Sequence, residues 1–315
     1  MIAPADEELH PIGDAPHWQE SYYFNWSDPH HDAFGLTRIG FRFGDDQMDG
    51  LVLTMRDGLP EFAYPAVNLR HTGAWTDQRA KPGLRTRALR YEMVEPLARW
   101  RLVLTGKHEM ELEWTAFTPP FDYRHDGGTL PANVAGEHFE QSGRVEGWTR
   151  FKNRSLEIRG TGQRDKSWGV RDWASVEGWD WISAQFGEDF TFNAWEGLMG
   201  GQRHVNGFVH RDGDNYPIER LAIDYRWADR AHVIAEARLA ISAGGREHVV
   251  TARTLAQCPL VKKGLWIQEV YASFCREGDR RPGIGVIEHA WHAGTMGTLR
   301  RLPQLLGAAR HVLLR

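Results

Sequence analysis

The clearest pattern in the chain is the run 108–116. Met110, Leu112, Trp114 and Ala116 fall on one side, and Glu109, Glu111 and Glu113 on the other. Strict alternation marks a strand with one face buried and one in water. Shorter alternating runs recur over 38–43, 51–55, 100–104, 155–159, 178–186, 190–196, 204–210, 221–227, 249–254, 266–274 and 283–291. Between them the chain turns on Gly-, Asp- and Asn-rich steps such as 44–46, 57–58, 126–128, 212–215 and 244–245. Close turns between short period-two runs predict an all-β protein built from barrels or sandwiches. Long helical periods are scarce. Residues 229–241 have a helical composition, but 238–241 run straight into Gly244-Gly245, which favours a strand.

The last stretch, 295–315, is different. Leu302, Leu305, Leu306, Val312, Leu313 and Leu314 mix with Arg300, Arg301, Arg310 and Arg315, and Pro303 interrupts them. A short basic amphipathic helix is expected there. Packing on a barrel is favoured, because the proline weakens one long apolar face. Peripheral contact with a membrane surface is the alternative.

A chain of 315 residues holds two domains of ordinary size. The boundary is placed near 174–178, giving an N-terminal barrel over 1–175 and a C-terminal barrel over 176–315. The formal net charge of −4 points to no nucleic-acid partner. Fourteen tryptophans suit barrels that enclose apolar ligands, or a thick core. Cys258 and Cys275 make no disulfide framework and are expected as reduced, buried thiols. No signal-like segment opens the chain and no apolar run reaches membrane length, so a cytoplasmic location is expected.

Charge and indole concentrate in 160–173, Gly-Thr-Gly-Gln-Arg-Asp-Lys-Ser-Trp-Gly-Val-Arg-Asp-Trp. The segment follows neither period and reads as an ordered loop. Trp168 and Trp173 should be buried, carrying Arg164, Asp165, Arg171 and Asp172 with them, and buried charge must be paired. Two readings stand side by side. One is a structural ion-pair plug between domains, with Arg164 and Arg171 holding Asp165 or Asp172 ionised. The other is a pocket wall carrying an acid.

Parity offers further carboxylates. Glu196 shares a face with Phe190, Phe192 and Ala194, and Glu288 with Ile284, Val286 and Ala290. If those faces point inward, both carboxyls could share one apolar cavity, where desolvation keeps one protonated. Trp179, Trp181 and, less well placed, Trp195 could then stabilise a carbocation-like state. Histidines cluster at 30–31, and His204 and His210 share parity, but no spacing has metal geometry behind it, so no metal is expected. There is no dinucleotide fingerprint, phosphate loop or nucleophile elbow, and no cofactor is expected.

The string G-x-G-x-R-D-x-S-W-G-x-R-D-W resembles the signature of the AttH-like and hydroxyneurosporene-synthase-like proteins. That family includes carotenoid 1,2-hydratases and lipocalin-like Diels–Alderases. Residues 139–147, Phe-Glu-Gln-Ser-Gly-Arg-Val-Glu-Gly, are similar to its aromatic-Glu-Gln segment, and 283–289 to its closing Gly-x-Gly-x-x-Glu strand. The resemblance implies two tandem lipocalin-like (calycin) β-barrel domains. It also implies a cofactor-independent enzyme that hydrates, isomerises or cyclises a hydrophobic isoprenoid, steroid-like or polyketide-like molecule. On that reading Asp165, Glu140, Glu196 and Glu288 are the candidate catalytic residues. Trp168, Trp173, Trp179, Trp181, Phe192, Arg164, Arg171 and His204 would line the substrate. A non-catalytic lipid or terpenoid carrier is the alternative. The family usually has His after the signature Asp, where this chain has Lys166, so any role of that histidine does not carry over.

Overall fold

The computed structural model describes residues 1–10, 17–70, 84–128, 130–131, 135–172, 175–228, 233–262 and 264–313. It is all-β, 69% strand and 9% helix. The chain divides into two compact units. One comprises Met1–Thr54, Phe62–Asp122 and Ala132–Asp172, and the other Met55–Glu61, Tyr123–Pro131 and Trp173–Arg315.

The first unit is built on a curled sheet. Its strands are β1 (Trp18–Asp28), β2 (Ala33–Arg42), β3 (Gln47–Arg56), β4 (Leu59–Arg70), β5 (Leu84–Arg85), β6 (Leu89–Glu95), β7 (Arg99–Leu104), β8 (His108–Ala116), β9 (Phe121–Asp122), β10 (Glu137–Phe151) and β11 (Arg154–Val170). Their order is β4-β3-β2-β1-β11-β10-β8-β7-β6-β5, with β9 paired to β10. The alternation over 108–116 is realised as β8: Met110, Leu112 and Trp114 join Phe24, Trp26, Ile39, Tyr91, Trp100 and Val145 in one buried cluster.

The segment 160–173 is not a loop. Residues 160–170 form the second half of β11, paired with β1 on one side and β10 on the other. Its period of two was invisible because both faces are polar. Arg164 and Lys166 alternate with Gln163, Asp165 and Ser167, and all but the half-buried Asp165 are buried. Sequence patterning reads hydrophobicity, and here the inward face carries cations whose partners lie elsewhere in the chain. The Gly-x-Gly step has its own cause. A Cβ on Gly162 would sit 1.9 Å from the carbonyl oxygen of Asn25, and one on Gly160 1.9 Å from that of Ser27.

The second unit is a closed barrel of β12 (Val176–Gln185), β13 (Phe190–Met199), β14 (Gln202–Arg211), β15 (Asp214–Trp227), β16 (Ile234–Ala243), β17 (Arg246–Lys262), β18 (Leu265–Arg276) and β19 (Gly283–His292). Its lumen is packed by Ile182, Ala184, Phe192, Ala194, Val209, Leu239, Val270, Phe274 and Ile287, among others. Strand β16 covers most of the ambiguous run; residues 229–232 lie outside the described residues. Helix α1 (Gly294–Leu313) follows and packs along β17. The buried Arg301 places its guanidinium 5.2 Å from the Trp291 ring, while Met296, Leu299, Leu302 and Leu306 remain exposed. Cys258 is buried as expected, but Cys275 is exposed, since it alternates with the lumen-facing Phe274. Among the described residues no helix is long and apolar enough to cross a membrane.

Candidate functional site

Strand β11 sorts its charges by parity. On the core side, Arg164 is fully buried and forms a two-pronged ion pair with Glu7, at 2.6 and 3.0 Å. Its Nε donates to Gln141 at 3.0 Å. Phe24, Trp100, Trp114 and Phe139 surround the guanidinium at 5.1–5.9 Å. Lys166, two residues on, pairs with Glu20 and lies 4.4 Å from the Tyr22 ring and 4.9 Å from Trp168. Burial alone would raise the Glu20 carboxyl, but Lys166 and His10 beside it hold it below its ordinary range. Trp168 is buried on this same side, stacked on His10 with centroids 4.2 Å apart. Arg164, Lys166 and Trp168 are therefore core packing. Contrary to the expectation from sequence, Arg164 does not hold Asp165: Arg164 and Trp168 project from the opposite face of the strand.

That opposite face is a polar field. Ser21, Tyr23 and Asn25 of β1, Gln163, Asp165 and Ser167 of β11, and His138, Glu140 and Ser142 of β10 lie side by side in register. Asp165 stands directly across from Glu140. The His138, Glu140 and Asp165 side chains bring their ligating atoms within 4.8 Å of one another. Glu140 is fully buried and bonded at both oxygens: His138 Nε2 lies 3.0 Å from one, and Gln163 Nε2 donates to the other at 2.9 Å. Gln163 is itself fixed, accepting from Ser142 Oγ at 2.6 Å. Asp165 is half-buried, and no hydrogen bond from a described residue occupies its carboxyl.

The electrostatics divide the three groups. Burial pushes the Asp165 carboxyl up to about 6; neighbouring Glu140 adds to the rise, while His138, Arg171 and Arg38 oppose it. Burial also holds the His138 imidazole down to about 4, so it is neutral near pH 7. A neutral imidazole bonded to a carboxylate donates through Nε2–H and keeps its lone pair on Nδ1. Arg171 is on this side, donating to Ser167 Oγ at 2.7 Å, with its pKa lowered to about 10 by burial. The result is a protonatable carboxyl beside a locked acceptor and a neutral imidazole. The same three donors could also hold a divalent cation, which no sequence spacing indicated. Sequence reasoning found Asp165 and Glu140 but missed His138. The only available signal was its parity with Glu140 two residues on.

The remaining candidates lie in the second unit and do not form one cavity. Glu196 continues the lumen face of Phe192 and Ala194, but sits at the strand end, paired with Arg203. Phe192 is fully buried core. Glu288 does not point inward. Ile287 occupies the lumen, so Glu288 projects from the outer face with Trp179, Trp181 and Trp195, and Trp179 Nε1 donates to it. Its partner there is Glu269, directly across on β18. Burial, reinforced by Glu288, raises the Glu269 carboxyl well above its ordinary range, so a protonated Glu269 shares its proton with Glu288. The inward pair expected from parity is therefore not formed: Glu288 meets a carboxyl on the outer face of the barrel, and that carboxyl is Glu269, not Glu196. His204 lies on the outer face, opposite Gly197. Trp173 falls outside the described residues.

Several solved structures share this architecture. A protein designated AttH from Nitrosomonas europaea superposes with a TM-score of 0.70 at 14% identity, covering 92% of this chain and 96% of that one. Kievitone hydratase from Nectria haematococca gives 0.62 at 10% identity, covering 86% and 88%. CghA with Sch210972 gives 0.60 at 12% identity, covering 87% and 88%. These likenesses establish the fold, which is the one that the resemblance of 160–173 implied. No curated protein matches the chain in sequence. One family model spans residues 3–293, nearly the whole chain, and on that match the protein belongs to the family described as a domain of unknown function, DUF7064.

Proposed function

We propose that this protein is a cofactor-independent acid–base enzyme that hydrates, isomerises or cyclises a hydrophobic small molecule, with Asp165 as the proton donor. The observation that carries the reading is the state of Asp165. It is a half-buried carboxyl raised to about 6, unoccupied by described hydrogen-bond partners, beside the pinned pair His138–Glu140. An acid of that strength retains part of its proton near neutrality and can deliver it to an alkene carbon or carbonyl oxygen. The Asp165 carboxylate left behind takes a proton back, either from an attacking water or from a neighbouring C–H. The first completes a hydration and the second an isomerisation, and in both the acid is restored. Glu140, anchored by two donors, supplies fixed negative charge facing the developing cation. Two of the structural likenesses, kievitone hydratase and CghA with Sch210972, are consistent with small-molecule chemistry on this fold.

The test is solvent-deuterium incorporation. A panel of terpenoid, steroid and polyketide alkenes is incubated with the protein in D2O and read by mass spectrometry. Wild type should place deuterium on carbon in at least one class. Asp165→Asn should slow that incorporation by about two orders of magnitude or more while the protein stays folded. Equal incorporation by Asp165→Asn would remove Asp165 from the role. A carrier would bind members of the panel and incorporate nothing.

A further inference from the structure

The lumen of the second-unit barrel carries a second constellation, separate in residues and chemistry from the Asp165 face. Asp180 lies two positions before the lumen residue Ile182 on β12. His289 lies two positions after Ile287 on β19, and the two stand directly across from each other in register. His289 Nδ1 lies 2.7 Å from Asp180 Oδ1. The same oxygen accepts the Tyr225 hydroxyl at 2.5 Å. Strand β15, which carries Tyr225, is separated from β12 by β13 and β14, so this bond crosses the inside of the barrel. Trp227 and Trp291 pack on His289, with centroids at 5.7 and 4.8 Å, and Tyr225 does so at 5.2 Å. Glu196 of β13, directly opposite Asp180 in register, and Arg203 complete the polar end of the lumen.

This arrangement fixes which ring nitrogen meets Asp180. A neutral imidazole that gives its Nδ1–H to a carboxylate carries its lone pair on Nε2. The described residues give that Nε2 no hydrogen bond, and His289, though mostly buried, keeps 17% side-chain exposure. The phenol of Tyr225 keeps its proton, since burial and then Asp180 raise it well above its ordinary range. Tyr225 thus serves as a fixed donor that holds Asp180 in place. An orienting carboxylate, an acceptor imidazole and surrounding indoles form the usual make-up of a small-ligand site: mostly aromatic walls with a few convergent polar groups.

The geometry points to a second binding site at this end of the C-terminal barrel, one that takes a flat aromatic hydroxyl compound. The hydroxyl donates to His289 Nε2 and the ring lies against Trp227 and Trp291. Asp180 and Tyr225 are positioning residues, because they set the imidazole tautomer and orientation without reaching the ligand.

The probe is 2-naphthol, compared with 2-methoxynaphthalene, which has the same ring system and no proton to donate. Both are titrated by calorimetry into the full chain. Wild type should bind 2-naphthol about ten-fold more tightly than the ether, the size of one hydrogen bond. His289→Asn keeps a donor toward Asp180 and removes the Nε2 acceptor, so it should bring 2-naphthol down to the ether's affinity and leave the ether unchanged. Trp227→Ala should weaken both probes. Should His289→Asn fail to fold by circular dichroism, Asp180→Asn, which is isosteric and frees the tautomer, should close the same ten-fold gap. The assignment is overturned if wild type binds neither probe or both equally, or if the gap survives in the variants. It is also overturned if Asp165→Asn, rather than His289→Asn, abolishes 2-naphthol binding, since that would place the ligand on the other unit.

Discussion

Replacing Glu7 by glutamine tests whether the Arg164 cluster is a packing device. Arg164 and Glu7 are both fully buried in side chain, and Glu7 contributes two of the guanidinium's hydrogen bonds. The substituted amide could accept one bond but would leave the cation without a counter-charge, among rings and neutral Gln141. Breaking one side of a buried pair costs about 3–5 kcal/mol. For a unit of this size, that corresponds to a fall in Tm of about 6–20 °C. The double variant Glu7→Gln with Arg164→Met removes both charges and places an apolar chain among Phe24, Trp100, Trp114 and Phe139, so it should recover most of the loss. With the single variant Arg164→Met included, urea unfolding followed by tryptophan fluorescence gives the stabilities of the three variants relative to wild type and the coupling energy. A single-variant loss below about 1 kcal/mol, typical of exposed pairs, would refute the reasoning. So would a double variant as unstable as the sum of the singles.

Proton linkage gives two further expectations. The folded pKa of Asp165, raised from 3.8 to about 6, means the native state holds that proton while the unfolded chain releases it, so this group makes stability fall as pH rises over that window. His138, lowered from 6.5 to about 4, acts oppositely over nearly the same window. Asp165→Asn should therefore steepen the gain in stability between pH 4 and 6.5, and an unchanged slope in pH-dependent melting would count against the assignment. Glu269 keeps its proton far above its ordinary 4.5, so Glu269→Gln, which mimics the protonated acid, should match wild type near pH 4.5 and exceed it in Tm at pH 8; equal values at both pH would show that the carboxyl is not held neutral.

The alternation over 108–116, the shorter period-two runs and the turn spacing determined by themselves that the chain is all-β. The ends of β8 are those of the run, because one of its faces is apolar and the other acidic. Glu140 and Asp165 could also be chosen from the sequence, through the resemblance of the segments that carry them. Other features required the tertiary structure. Residues 160–170 hide their strand period because Arg164 and Lys166 face the core, and their partners Glu7 and Glu20 lie far away in sequence. The inward side of β19 could not be chosen by parity alone. Val286, Ile287 and Ala290 are all buried, and only the packing of Ile287 in the lumen shows that Glu288 faces out and His289 in. Register decided the pairings: Glu140 with Asp165, Glu269 with Glu288, Asp180 with His289. A strand's own sequence fixes which residues share a face. Which face meets the core, and which residue on a neighbouring strand stands opposite, depends on hydrogen bonds between distant segments, and that placement is what buries the Asp165 and Glu269 carboxyls beside a second acid and raises them.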